Sequence, residues 1–599
     1  MASFYDNASI ITIPSGYKVG TLYSAKPTDG TGDMAFTRTG DTATRVNSAG
    51  IIERCITNLA LQSNVFSNAS WTKTNTTIGT GIADPNTGTT AFSLAGSSST
   101  SNTKLIIQTV YSSTNEAKTF SVYAKANTHS FIQLRSGTLF VNFDLTTGTF
   151  SAGASSTGTM TSIGGGWYRC QFTFIGTTTA ANIQLVDSLS AVQNENSTTT
   201  NSVYIWRAQG QTGDFATNYI DTTTAAVTQG PVTNLPRLDY FGSTCPQLLM
   251  EPTRTNLMIY SQMLDNTTGW TRNALNVSGN VAISPDGYNN ADLVIENSSS
   301  GQHSLQRNFS FVSGTTYTIS AFVKQGSGDR RFNIGFGSTA FGVSLNSNFN
   351  IQTGVITTSS GSVTGKIENY GNGWYRCIAT ATATATISSA FFLMLRNSND
   401  ANGNNYTGDG TSSLYVWGAQ VEAGAYATSY IPTTAATVTR NSDVCNKTSA
   451  SSLIGQTEGT LFAEFKVPSV DGSSNYIALT SGAFTNSIIL GKEISVNPDK
   501  FLFYIQGGGV IILNNTNTAL TNDYVKCAIA YKSGDWAAYF NGTQVASGTS
   551  TFTFNSALSV FGFGSNASLS VTGEQTNIKQ TLVFKTRLTN AELATLTTL

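Results

Sequence analysis

GGGWYRC (Gly164–Cys170) and GNGWYRC (Gly371–Cys377) are one phrase written twice in a chain of 599 residues. Matching segments extend outward from it in the same order. KTFSVYAK (Lys118–Lys125) answers YTISAFVK (Tyr317–Lys324), and both alternate apolar and polar side chains as half-buried strands do. VNFDLTTGTF (Val141–Phe150) answers SNFNIQTGVI (Ser347–Ile356), two runs around a Thr-Gly turn that reads as a β-hairpin. VYIWRAQ (Val203–Gln209) answers LYVWGAQ (Leu414–Gln420), and FATNYIDTTTAAVT answers YATSYIPTTAATVT. Each copy opens on ITNL (Ile56–Leu59) or RTNL (Arg254–Leu257). Chance does not produce such a series, so the chain contains a duplicated module.

Many short alternating strands, separated by Gly, Asn and Ser clusters, make the fold class all-β: three β-sandwich modules of the jelly-roll kind, which resemble concanavalin-like modules, plus a short N-terminal β segment. The divisions are 1–50, an N-terminal leader or anchor; 51–231, sandwich copy one; 232–255, a packed linker; 256–444, copy two; and 450–599, a laminin-G or concanavalin-like module. The leader has too few apolar positions for a core of its own and must lean on another part. The third module begins EGTLFAEFKV (Glu458–Val467) and ends in a short helix, where Thr589 and Glu592 are spaced as a capping box.

Charged residues are 11% of the chain and the net charge is -1, a neutral polar composition without the basic clusters that displace counterions from nucleic acid. No run is long and apolar enough for membrane insertion. The opening MASFYDNASIITIPSGYK shows neither a basic n-region nor an apolar h-region, so no cleavable secretion signal is expected. Cys55, Cys170, Cys245, Cys377, Cys445 and Cys527 are scattered, without a CxxC pair, and read as reduced and mostly buried.

No cofactor, metal site or catalytic residue is expected. His129 and His303 stand in polar, turn-like contexts without a nucleophile elbow or HExxH helix, and read as surface or turn histidines. Six of the seven tryptophans (Trp71, Trp167, Trp206, Trp270, Trp374, Trp417) form three equivalent pairs. Trp206 with Tyr204, and Trp417 with Tyr415, are two apart on a strand. They form either a stacking platform for a sugar ring or the large residues of a core, and their apolar neighbours favour the core. The sequence singles out no ligand-binding residue.

The segments NLALQSNVFSNASWTKTN, GGGWYRC and VYIWRAQGQTGDFATNYI, with their second copies, resemble the carbohydrate-binding-like, concanavalin-like sandwich modules of bacteriophage virion appendages. FTRTGDTATRVNSAGIIE and LPRLDYFGSTCPQLLMEPTRTNL look like the leader of such modules in phages of Bacteroides-type hosts, including crAss-like phages. In that family the leader runs on without interruption, whereas here copy one lies inside it. The departure implies that copy one is inserted and that residues 36–54 pair with residues 232–255 across its base.

The resemblance implies a structural virion protein, a head or tail fibre made in the bacterial host cytoplasm. It would form a homotrimer, dock on other capsid or tail proteins, and bind host-surface glycans for attachment. A decoration protein without glycan binding is the alternative, and a polysaccharide-degrading tail spike is a more distant one.

Overall fold

A computed structural model describes residues 4–397, 405–466, 475–492, 500–519, 524–564 and 575–598. Each copy folds as two antiparallel six-stranded sheets face to face. In copy one, the first sheet runs in the order Ser156–Gly164, Trp167–Gly176, Glu116–Ala126, Ser202–Thr212, Ala91–Gly96, Thr76–Ile82. Copy two repeats that order with Thr364–Gly371, Trp374–Thr382, Thr316–Gln325, Ser413–Ala423, Asn289–Glu296, Leu275–Ile283. Even the register is shared, since Val122 lies opposite Cys170 and Ala321 opposite Cys377. Alternation along these strands sends Phe120, Val122, Cys170 and Phe172 into the core of copy one.

The repeated phrase explains itself in this setting. Three successive residues before the Trp take positive φ in both copies: Gly164, Gly165 and Gly166, then Gly371, Asn372 and Gly373. Only glycine and, less readily, asparagine take up such a run, which closes the hairpin onto Trp167 or Trp374. Arg169 donates to the Thr217 carbonyl and the Ser121 hydroxyl, and Arg376 does the same to Thr428 and Ser320. The Asn of the TNL motif is equally conserved in role. Asn58 donates to the carbonyls of Ala208 and Ile220, and Asn256 to those of Ala419 and Ile431.

The third sandwich is assembled from three separated stretches. Its eight-stranded sheet runs Leu238–Asp239, Gln247–Met250, Thr576–Phe584, Glu458–Lys466, Val525–Lys532, Trp536–Phe540, Thr543–Gly548, and Ile10–Thr12 also pairs with Thr576–Phe584. Its nine-stranded sheet begins with Tyr17–Lys18, Thr21–Leu22 and Met34–Thr37, continues through Val444–Lys447, and then takes in strands from the C-terminal part of the chain. Ile10, Leu22, Met34 and Phe36 are fully buried in the same core as Leu248, Cys445, Leu461 and Ile529. The leader thus leans on residues 450–599, and the linker contributes strands to them. The expected capping box is present, with Thr589 and Glu592 bonded reciprocally at the start of helix Asn590–Leu596.

This topology makes both copies insertions. The chain leaves the base sandwich, forms the first arm, and returns for Leu238–Asp239 and Gln247–Met250. It then leaves for the second arm and returns at Val444–Lys447. Two short ladders close the necks: Ile56–Asn58 with Val227–Gln229, and Arg254–Asn256 with Val438–Arg440. Residues 36–54 and 232–255, expected to pair as strands, form no ladder. They meet through single backbone bonds, Asn234 to Arg38 and Tyr240 to Val46, and through side chains such as Asp239, which accepts from the Val46 amide. Met34–Thr37 pairs instead with Thr21–Leu22 on one side and with Val444–Lys447 on the other, and Val444–Lys447 pairs in turn with Val560–Gly564.

All six cysteines are free thiols, of which Cys245 is exposed and Cys55 half-buried. Among the described residues no helix is long and apolar enough to cross a membrane.

Candidate functional site

Five charged side chains, each with no exposed surface, meet where the four chain crossings converge. Arg38 ends the leader strand, Arg237 and Glu251 flank the linker strands, and Arg440 and Asp443 flank the return from the second arm. Arg38 donates to Asp443 at 3.2 Å, Arg237 bridges Glu251 and Asp443, and Arg440 reaches Glu251 at 3.0 Å. Neutral oxygens satisfy much of the rest: Arg38 donates to the carbonyls of Pro231 and Val232, and Arg440 to that of Pro252. Glu251 also accepts from the amide and hydroxyl of Ser429.

A cavity of about 340 Å³ lies beside this hub, between the base and the second arm. The base contributes Asp239, Phe241, Gln247, Lys466 and Tyr524, and the arm contributes Lys366, Tyr370, Arg376 and Tyr426. Phe241 stacks on Tyr370 with ring centroids 4.5 Å apart. Asp239 is buried, which pushes its carboxyl up, while the amides of Val46 (2.7 Å) and Phe241 (3.0 Å) work against that shift. Gln247 is 2% exposed and donates to the Phe241 carbonyl at 3.1 Å, but its Oε1 has no hydrogen-bond partner. A buried acceptor left unpaired is costly, so a donor arriving in the cavity would be favoured.

The second concavity is a cleft of about 1020 Å³ between the two arms. Thr157, Thr159 and Thr173 line it from the first arm, and Asp265, Asn266 and Asn280 from the second. Asn280 donates to Asp214 at 3.2 Å, and Phe215 packs against Tyr288 with centroids 5.5 Å apart. Burial pushes the Asp214 carboxyl up to about 6, and burial likewise raises Asp265 and Asp292.

Hub and cleft give opposite pH dependences. Burial alone would raise the Glu251 carboxyl, but Arg440 and Arg237 outweigh it and hold it at about 2. Its stabilisation is complete above the unfolded carboxylate range and is lost as pH falls towards 2. Asp214 takes up its proton more readily folded than unfolded, so its contribution weakens as pH rises through 4 towards 6. The melting temperature is therefore expected to peak at about pH 4–5 in calorimetry between pH 2 and 8. Glu251→Gln should flatten the acid limb and Asp214→Asn the other. A profile that only rises with pH would contradict the Asp214 assignment, and one that only falls would contradict that of Glu251.

None of the six paired tryptophans lines either concavity. All are buried, but two per arm lie outside the sandwich core, on the outer face of the first sheet. Trp167 and Trp206 cluster with Tyr123 and Tyr204, and Trp374 and Trp417 with Phe322 and Tyr430. Trp206 and Trp417 reach that face because a bulge at Arg207 (φ 48°) and Gly418 (φ 64°) shifts the strand register, whereas Trp167 and Trp374 fall there by ordinary alternation, three residues before the core-facing Cys170 and Cys377. Trp206 donates to Thr90 at 2.8 Å, and the Arg207 guanidinium covers its ring at 3.8 Å, so its face is already occupied.

His129 is half-buried in the link between strands Glu116–Ala126 and Phe131–Ser136, with Nε2 2.9 Å from the Val186 carbonyl. His303 departs from expectation: it begins strand His303–Phe311 and is fully buried, its ring nitrogens facing the carbonyls of Ala274 and Tyr406. Those backbone oxygens hold it inside the second arm. Among the described residues no group of three or more His, Cys, Asp or Glu is placed to hold a metal ion.

Fold and site together define an all-β protein of two sandwich arms on a composite sandwich base. No protein-family model and no curated protein matches the chain. Among solved structures it is similar to the Ruminococcus gnavus IT-sialidase CBM40 bound to α2,3-sialyllactose, at 14% identity and a TM-score of 0.21, over 25% of this chain and 86% of that one. It is also similar to the NanB sialidase from Streptococcus pneumoniae (16%, TM-score 0.22, covering 25% and 26%). A third is the receptor binding domain of botulinum neurotoxin mosaic serotype C/D (14%, TM-score 0.21, covering 26% and 39%).

Proposed function

We propose that this chain is a structural fibre component of a phage particle, on the head or tail, which displays its two sandwich arms and binds host-surface glycan. The supporting observation is the junction cavity. It is the size of a small-ligand pocket, it is walled by aromatic rings and hydrogen-bonding groups, and it is built where an arm joins the base. Duplicated arms fastened through one buried hub suit a part whose task is to hold surfaces outward. The other virion proteins are its partners in this reading, and the assembled state is a homotrimer.

A decoration protein that binds no glycan is the second reading, and it is favoured by the tryptophans, whose faces are covered within the arms. An array of host capsule and lipopolysaccharide fragments probed with the full chain separates the two. Hits are expected. An empty array together with tight docking to purified capsids or tails selects the decoration reading, and release of reducing ends would reveal a polysaccharide-cleaving spike.

A further inference from the structure

The cleft between the arms is lined, from the first arm, by strands Ser156–Gly164 and Trp167–Gly176. Cys170 and Phe172 point into the core, so the lining residues Arg169, Gln171 and Thr173 lie on the outer face of the sheet. Thr159 and Thr161 stand opposite Gln171 and Arg169, and their counterparts Lys366 and Glu368 stand opposite Ile378 and Arg376. In the second arm those counterparts form an ion pair at 2.7 Å, and Tyr370, two residues on, is covered by Phe241. The same face of the first arm is left free. Thr157, Thr159 and Thr161 are exposed, and among the described residues their hydroxyls bond to no other group of the chain.

The second arm answers with free acceptors and a free donor. Asp265 is exposed, and among the described residues no other residue donates to its carboxylate. Asn280 is oriented by its donation to Asp214, which leaves its Oδ1 a buried acceptor without a partner. Asn266 spends its Oδ1 on the amides of Thr268 and Gly269 and keeps its Nδ2 free. Ile163 and Ile175, 41% and 36% exposed, add aliphatic surface to the lining. A carboxylate and an amide oxygen take the hydroxyls of a sugar ring, threonine hydroxyls donate or accept as needed, and aliphatic surface suits its C–H faces. An acidic sugar would bring its charge beside Asp214 and Asp265. Among the described residues the one cation in the lining is Arg169, which is turned to the neutral oxygens of Thr217 and Ser121. At about 1020 Å³ the cleft stands at the top of the usual range for ligand pockets, roughly 300–1,000 Å³, so it has room for more than one ring. We propose that the cleft between the arms binds a short run of neutral hexose residues within a host-surface polysaccharide. The proposal rests on the glycan-binding reading and adds a second site and its class of sugar.

The test is calorimetric titration of the full chain with tetragalacturonate, its carboxyl-reduced counterpart, maltotetraose, mannotetraose and the strongest hit of the glycan array. A neutral probe is expected to bind about 10-fold or more tightly than tetragalacturonate, and to change by less than about 2-fold between 50 and 500 mM salt. Asp265→Asn, which keeps the shape and removes the charge, and Thr159→Tyr, which fills the cleft from an exposed position, should each weaken it about 10-fold while the melting temperature holds. Tetragalacturonate bound as tightly as the neutral probes overturns the neutral class. Neutral binding that both variants leave unmoved overturns the place and leaves glycan binding standing. An array hit that is acidic, or indifferent to both variants, likewise ends the proposal alone. If neither the probes nor the array gives binding, the broader reading falls with it.

Discussion

Replacing Asp443 by alanine is expected to lower the stability of the base sandwich by about 3–5 kcal/mol. Asp443 is the partner of Arg38 and Arg237 and also accepts the Glu251 amide at 2.8 Å. Without it three fully buried guanidinium groups share one carboxylate, and the loss of Coulomb attraction is not repaid by water that cannot enter. Asp443→Asn keeps the shape and loses the charge, so it should recover the amide contact but little of the stability. The control is Glu53→Ala, which removes the Arg45 partner at a carboxylate 32% exposed and should cost under about 1 kcal/mol.

The arms have hydrophobic cores distinct from that of the base. Loss of the hub should therefore lower one calorimetric transition and leave others in place, with proteolysis releasing fragments near 56–229 and 254–440. A variant whose base transition moves by less than the control's would show that the hub is hydrated and its charges are not held by one another.

The arms were legible in the sequence because their signals are local. Alternation marks the strands around Phe120 and Ile319, and the glycine run before Trp167 marks a turn that few other residues could make. The capping box at Thr589 was equally readable, since all its atoms lie within one helical turn. The base was legible only in part: the sequence marked a C-terminal sandwich, a packed linker and a leader leaning on another part, but not which strands pair. Alternation in MAFT (Met34–Thr37) says which face is buried but carries no information about its partner, Val444–Lys447, on the far side of two inserted arms. Arg38, Arg237 and Arg440 offered a signal that could have been used. In so charge-poor a chain, arginines at the edges of both insertions mark places where a buried carboxylate must be waiting. The cavity had no such signal, because Gln247, Tyr370, Lys366 and Tyr524 are unremarkable in sequence and become a site only when arm and base meet.

Trp417→Ala in the second arm should cost about 3–5 kcal/mol, and a fall in melting temperature on the order of 10 °C should accompany it. Trp417 has no exposed surface and contacts Phe322 at 5.2 Å and Tyr430 at 4.7 Å between ring centroids. The cluster also takes in Val46 and Ile52 from the leader hairpin, so the same rings that stiffen the arm fasten it to the junction. Removing the indole leaves a cavity lined by side chains anchored in different segments, which cannot all close in together. Trp206→Ala tests the same position in the first arm, where the cluster is covered by Arg207 instead of by the leader. Its cost should fall at the lower end of the range, because the guanidinium and Tyr219 can settle towards the space vacated. If either variant kept its melting temperature and lost binding to a glycan, the buried tryptophans would have to be reassigned to ligand contact. If Trp417→Ala destabilised the arm no more than Trp206→Ala, docking of the leader hairpin would add nothing to the cluster, and the second arm would be held by its neck ladder and the hub alone.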